Sequence, residues 1–367
     1  MRLTVATLAF ALFLFEPLTH AQSNQAAHFY TLSRTAKESA SPPIIAASSV
    51  GVLTITLQVL PLDFGRAIDV NDRGEIAVNG CVAGSCGAYV WNSESGLRPI
   101  AVSPVGVGAF ARGMNDRGEV VGDYYGDSSS GNDARGFIWS ARMGMRDLGL
   151  YSPRSINKHG DTVGFCWEPF SWCADIDGMR RTFSALCDGC AIPQLFAIND
   201  KGEITGASEV VFFGRFRPFV WTEREGYTWP DAPFDDNIYL LSINRRSEAA
   251  GARFGCLFIA DYGCGDAYST VLRWTRKEGW ASGLVDPYLW TFAYDMNDKG
   301  IMVGAKRPSG EYPVMWRADN LTPIDLPTLN GATGEALAVN DKRTIVGWTR
   351  VPPDGFERPA VWTISNN

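Results

Sequence analysis

Apolar and polar positions alternate along this chain in short bursts, not in helical stripes. Runs of four to six residues rich in Val, Ile, Phe and Trp are bounded by Gly, Asn and Asp, the pattern of strands joined by hairpins. After the first stretch of the chain, no window of about 12 residues keeps a helical apolar period, so helix should be scarce. The bursts also recur. Seven times, about 44 residues apart, an apolar run ends in Asn, usually within Asn-Asp-x-Gly: Asn71, Asn115, Asn157, Asn199, Asn244, Asn297 and Asn340. Asn-Asp-x-Gly suits a type I turn whose Gly takes the left-handed position.

The repeated unit extends beyond this turn. Seven residues past the Asn stand Gly122, Gly164, Gly206, Gly251, Gly304 and Gly347, while the first repeat reaches Gly80 two positions late. An aromatic-ended run follows, as in Tyr89-Val90-Trp91 and Phe137-Ile138-Trp139, and then a last apolar run such as Met145-Arg146-Asp147-Leu148. The third repeat carries Thr182-Phe183 where the others have Trp. Each unit therefore holds about four strands, the size of one β-propeller blade.

The ends of the array test this reading. The last repeat stops at Trp362-Thr363-Ile364 without its fourth strand, whereas residues 52–62 offer a surplus strand before the first repeat. A ring closed by pairing the two ends needs this arrangement, because it leaves no blade incomplete. An open β-solenoid, the competing architecture, would need polar caps. The expected fold is all-β: a seven-bladed propeller over residues 51–367, preceded by a Ser- and Ala-rich flexible lead-in at 22–50.

Residues 1–21 read as a secretory signal peptide. Arg2 precedes an apolar core from Leu3 to Phe15, and Thr19-His20-Ala21 offers a cleavage site. That core is short for a membrane span, and no later segment is apolar for about 18 residues, so a soluble exported protein with no membrane insertion after cleavage is expected. The eight cysteines fall into four close pairs: Cys81 with Cys86, Cys166 with Cys173, Cys187 with Cys190, and Cys256 with Cys264. Structural disulfides across loop necks fit an oxidising compartment, although counting leaves the connectivity open. A net charge of −7 argues against nucleic acid as a partner.

Chemistry is sparsely marked. Of three histidines only His159 lies in the array, at a turn position that suits a solvated residue, so histidine-dependent hydrolysis lacks a base. No cofactor and no metal are expected. The Asp-led turns at Asp69 and Asp295 resemble calcium loops, but Arg73 and Lys299 stand where the third oxygen donor belongs. Carboxylates outside the repeat pattern, namely Asp127, Asp133, Glu168, Asp175, Asp177, Asp261 and Asp266, leave a glycosidase-like acid–base pair as the rival to simple binding.

The phrase Ala-x-x-Ile/Met-Asn-Asp-x-Gly-x-x-Val-Gly, followed by a Phe-Val-Trp run and a Leu-rich tail, resembles the HAF repeat family of probable extracellular proteins. It is cleanest at Phe196-Ala197-Ile198-Asn199-Asp200-Lys201-Gly202 and spans about residues 52–364. The resemblance implies export and repetition and brings no catalytic residues. Repeats five and seven depart from it at the turn Gly, with Ser247 and Arg343, so altered turns are expected there.

Function should lie where the repeats differ. They differ most after the Gly-ending strand, where the loops carry Tyr124, Tyr125, Trp167, Trp172, Phe212, Phe213, Phe258 and Tyr262. Such rings suit stacking on sugars or anchoring a protein, or else they pack their own loops. The expectation is a secreted or periplasmic, monomeric, non-enzymatic binding scaffold for a carbohydrate or protein ligand.

Overall fold

The computed structural model describes residues 45–50, 53–100, 108–125, 134–186, 192–210, 215–233, 236–256, 259–260, 263–264, 267–286, 288–307 and 309–366. Among the described residues, seven antiparallel sheets of four or five strands follow one another around a closed ring, one per repeat, with a two-stranded hairpin beside blade 5 and one short 3-10 turn at Leu329–Gly331. Blades are numbered here by their Asn anchors, from Asn71 in blade 1 to Asn340 in blade 7. Their innermost strands are Phe64–Val70, Gly108–Met114, Tyr151–Ile156, Gln194–Ile198, Asn237–Ile243, Trp290–Met296 and Gly334–Val339.

Blades 1 to 4 and 6 are built from consecutive strands, whereas in blade 5 a separate short hairpin, Ile259–Ala260 with Gly263–Cys264, lies between the second and third strands. Blade 7 runs Gly334–Val339, Thr344–Val351, Phe356–Asn366, and then back to the front of the chain at Leu53–Val59. The surplus front strand thus completes the last blade, as the sequence requires. Ile45–Val50, at the end of the segment expected as a lead-in, adds a fifth strand outside Leu53–Val59.

The Asn turns give the reason for the repeat. In every blade the Asn Oδ1 accepts backbone N–H groups two and four residues on, as with Arg73 and Glu75 on Asn71 at 3.0 Å each. The third residue past each Asn donates to its carbonyl and has positive φ. Gly74, Gly118, Gly160, Gly202 and Gly300 do so, but so do Ser247 (φ 65°) and Arg343 (φ 66°). The turns of blades 5 and 7 are therefore not altered: the rest of the motif holds these two residues in the left-handed region despite its cost.

The Asn Nδ2 then links the blades. Asn71 donates to the Asn115 carbonyl, Asn115 to Asn157, Asn157 to Asn199, Asn199 to Asn244, Asn244 to Asn297 and Asn297 to Asn340, at 2.8–3.2 Å. Asn340 donates to Asn71 at 2.9 Å and closes the circle. All seven side chains are buried. Between blades the core is aliphatic and aromatic, with Trp316, Trp348 and Trp362 fully buried.

Blade 3 differs from its sequence reading. Its third strand is Ser171–Ile176, which places Asp175 opposite Thr162, where the other blades set their Trp; Phe183 ends the outermost strand. The physical reason is the short loop between Cys166 and Ser171, which brings the third strand forward.

Candidate functional site

Each inner strand runs toward its Asn turn, so the ring has two distinct faces. The turn face carries the Asn turns and the hairpins between third and fourth strands. The loop face carries the loops after the second strands and the connections between blades. Among the described residues, six of the eight exposed large hydrophobics are on the loop face: Phe170, Leu186, Trp229, Leu284, Tyr288 and Phe356. Met143 and Met179, at outer hairpins, are on the other.

The inner strands share a feature the sequence reading did not identify. All seven inner strands shift register at one place, between Ala67/Asp69, Ala111/Gly113, Pro153/Ser155, Leu195/Ala197, Leu240/Ser242, Ala293/Asp295 and Ala336/Ala338. A bulge leaves one residue out of the ladder and re-aims its side chain. Here those residues are Ile68, Arg112, Arg154, Phe196, Leu241, Tyr294 and Leu337. All seven are partly buried, and the residue before each is buried. The available signal was positional: the third residue before each Asn varies freely, while the residue immediately before the Asn is always aliphatic or Met.

Two polar groups join neighbouring blades. On blades 2 and 3, Arg112 binds Asp123 through Nε and Nη2 at 2.9 and 3.1 Å, and Ser152 Oγ donates to the same carboxylate at 2.9 Å. The Arg154 guanidinium lies 5.4 Å from the Trp172 ring centre. Burial, and then the positive charge of Arg112, pushes Arg154 down to about 10, against the pull of Asp123 and Tyr125. On blades 6, 7 and 1, Glu335 accepts from Tyr294 Oη at 2.9 Å, Trp348 Nε1 at 3.0 Å and Arg307 at 3.2 Å. Arg307 also meets Glu311 at 2.7 Å, and Arg66 joins blade 1 to Glu357 of blade 7 at 2.6 Å. Burial and the neighbouring Glu335 charge hold Tyr294 well above its ordinary value, so it stays a hydrogen-bond donor.

The aromatic candidates separate by position. Tyr124 and Trp172 are buried, Tyr124 in the core shared by blades 1 and 2 and Trp172 in that between blades 3 and 4. Tyr125 stands edge-on to Phe110 at 6.2 Å beside the Arg112–Asp123 pair. Trp167 forms an edge-to-face cluster with Phe165 and the exposed Phe170. Phe212, Phe213, Phe258 and Tyr262 lie outside the described residues, as do Asp127, Asp133, Asp261 and Asp266. Of the remaining carboxylates, Glu168 and Asp177 are exposed and Asp175 pairs with Arg180, so these three do not converge.

Cys81–Cys86 and Cys166–Cys173 are disulfide-bonded. Cys187 and Cys190, and the side chains of Cys256 and Cys264, lie outside the described residues. His159 is exposed in its turn, with Nε2 at 3.2 Å from the Asp200 carbonyl. Among the described residues no helix is long and apolar enough to cross a membrane.

The fold is a seven-bladed β-propeller closed by strands from both ends of the described chain. Among solved structures the chain is similar to virginiamycin B lyase from Staphylococcus aureus, with 11% identity over 85% of this chain and 99% of that one and a TM-score of 0.51. It is also similar to YCF48 bound to D1 peptide, with 9% identity over 88% and 100% and a TM-score of 0.50. At such identities the likeness is one of fold alone. No family model and no curated protein matches the sequence.

Proposed function

We propose that this protein is an exported, non-enzymatic binding module that recognises a glycan at its loop face. The observation that carries the reading is the placement of Phe170, Leu186, Trp229, Leu284, Tyr288 and Phe356 on that one face. Aromatic rims around hydrogen-bonding groups suit sugar rings, whose apolar faces stack while their hydroxyls take polar partners. The polar partners are Arg112, Tyr125 and Arg154 on blades 2 and 3, and Tyr294, Arg307 and Glu335 on blades 6 and 7. Export is supported by the leader-like residues 1–21, the resemblance to HAF repeat proteins and the two disulfides.

A carboxylate-dependent carbohydrate enzyme is the second reading, favoured by one observation. Asp69 and Asp295, both on inner strands, are each raised above the ordinary value mainly by burial, and the Asp295 charge adds to the rise at Asp69. The test is a glycan array on the chain without residues 1–21, with reducing-sugar release assayed on every hit. Binding without release, weakened by Phe170→Ala and Trp229→Ala, is the expected result. Release that disappears in Asp69→Asn would replace the binding reading with the enzymatic one. An array with no hits would exclude a glycan ligand and turn the search to a protein partner.

A further inference from the structure

A groove of about 600 Å³ lies between blades 1 and 2 on the turn face. Four guanidiniums line it, Arg73, Arg98, Arg117 and Arg142, against two carboxylates, Glu75 and Glu119. Both carboxylates are already engaged. Asn71 Nδ2 and Arg73 Nε donate to Glu75 Oε2, and Asn115 Nδ2 and Arg117 Nε donate to Glu119 Oε2, at 2.7–3.2 Å. The first pair reaches across to blade 2, since a Cβ on Gly118 would lie 2.6 Å from Glu75 Oε2. Arg98 is on the outer strand of blade 1, Gly96–Pro99, and Arg142 on the outer hairpin of blade 2. Both are exposed, and neither has a carboxylate partner among the described residues. The lining therefore carries surplus positive charge on a chain whose net charge is −7.

Other blades show what is missing here. Four outer hairpins share one turn, in which the residue before the Gly donates its N–H to the side chain three places back. Ser95 donates to Asn92, Met143 to Ser140, Glu225 to Thr222 and Glu278 to Thr275. In blades 4 and 5 that residue is a Glu that answers a cation, Glu225 paired with Arg224 and Glu278 with Arg273. In blades 1 and 2 it is Ser95 and Met143, both lining the groove, and Met143 is 77% exposed. We propose that this groove binds a small organic anion, its oxyanion head held by Arg98 and Arg142 and its apolar body laid on Met143. Guanidinium forks pair bidentately with carboxylate and phosphate oxygens alike, and small-molecule sites occupy about 300–1,000 Å³. The site is on the face opposite the glycan surface and does not depend on it.

Isothermal titration calorimetry with n-hexyl phosphate, hexanoate and inorganic phosphate tests the proposal and tells a phosphate head from a carboxylate one. At least one hexyl anion should bind, and inorganic phosphate should bind about tenfold more weakly than hexyl phosphate, for want of the chain. Arg98→Ala and Arg142→Ala should each weaken the hexyl anions about tenfold. Met143→Ser should remove the advantage of the hexyl chain and leave inorganic phosphate unchanged. Arg224→Ala, in the matching hairpin of blade 4, should change none of these affinities. Melts of all variants should match wild type, because the side chains are exposed. No heat from any of the three anions would overturn the proposal. So would equal affinities for hexyl and inorganic phosphate, or binding that survives Arg98→Ala and Arg142→Ala together.

Discussion

Asn199 makes four hydrogen bonds from one side-chain amide: Oδ1 accepts from Lys201 and Glu203 at 3.0 Å each, and Nδ2 donates to Glu203 at 2.7 Å and to the Asn244 carbonyl at 2.9 Å. Replacement by Ala orphans two backbone donors and one carbonyl inside the core. Each such group costs about 1–3 kcal/mol, so Asn199→Ala should lose about 3 kcal/mol or more and lower Tm by about 8 °C. Asn199→Asp keeps the acceptor, loses the donor and sets a charge beside Glu203, so it should be no better than Ala at neutral pH. A melt of Asn199→Asp matching wild type would show that the link between blades is not what the Asn provides. The Asn repeat was plain in the sequence because its neighbours need it locally. Its second use, donating to the next blade, was hidden because it joins residues 45 positions apart.

The repeated Gly belongs to the scale of the strand pair. A Cβ on Gly304 would lie 1.8 Å from the Phe292 carbonyl oxygen on the inner strand, and one on Gly251 would lie 1.8 Å from that of Tyr239. Backbone cannot yield as a side-chain tip can, so Gly304→Ala should cost about 2–3 kcal/mol. Gly87→Ala, in a strand with no atom within 4 Å of the added Cβ, should be neutral or slightly stabilising. Equal urea midpoints for the two variants would refute close backbone approach as the reason for the repeat. Blade 1 obeys the same physics in a shifted place: Val78 fills the usual Gly position, and the tight approach moves to Gly65 and Gly80. The late Gly80 was therefore legible as an anomaly, though not as a displaced contact. The bulge beside it was not legible, because Ile68, Arg112, Phe196 and Tyr294 share no chemistry; only the ladder registers reveal that they occupy one position. Blade 3 misled for the opposite reason. Phe183 has the right chemistry for the Trp position, and only pairing shows that Asp175 holds it.

Closing the ring brings charges from distant blades together, so the pH response belongs to the whole molecule. Among the described residues four carboxyls are displaced upward, Asp69, Asp72, Asp295 and Glu311, in each case chiefly by burial. Asp147 and Glu278 are displaced downward beside Arg135 and Arg273, at the surface, where such pairing contributes little to stability. Asp69 moves furthest, to about 7: burial dominates, Asp295 and Asp116 add repulsion, and the N–H groups of Met114 and Val70 oppose it. It still keeps part of its surface open, and water there moderates the effect. For a carboxyl raised from 3.8 to about 7, the folded state holds the proton that the unfolded state has released. Its contribution is fully present below about pH 4 and is lost as pH rises through 7. Melts across pH 5 to 8 should therefore show stability declining toward the alkaline end, by a few °C. Asp69→Asn, which keeps a neutral group in the same place, should flatten that decline. It should compare worst with wild type at pH 5, where it only loses an acceptor, and best at pH 8, where wild type carries the charge. Parallel curves for the two proteins would remove Asp69 from the account. The slope would then have to come from Asp72, Asp295 and Glu311, each at a different place around the same ring.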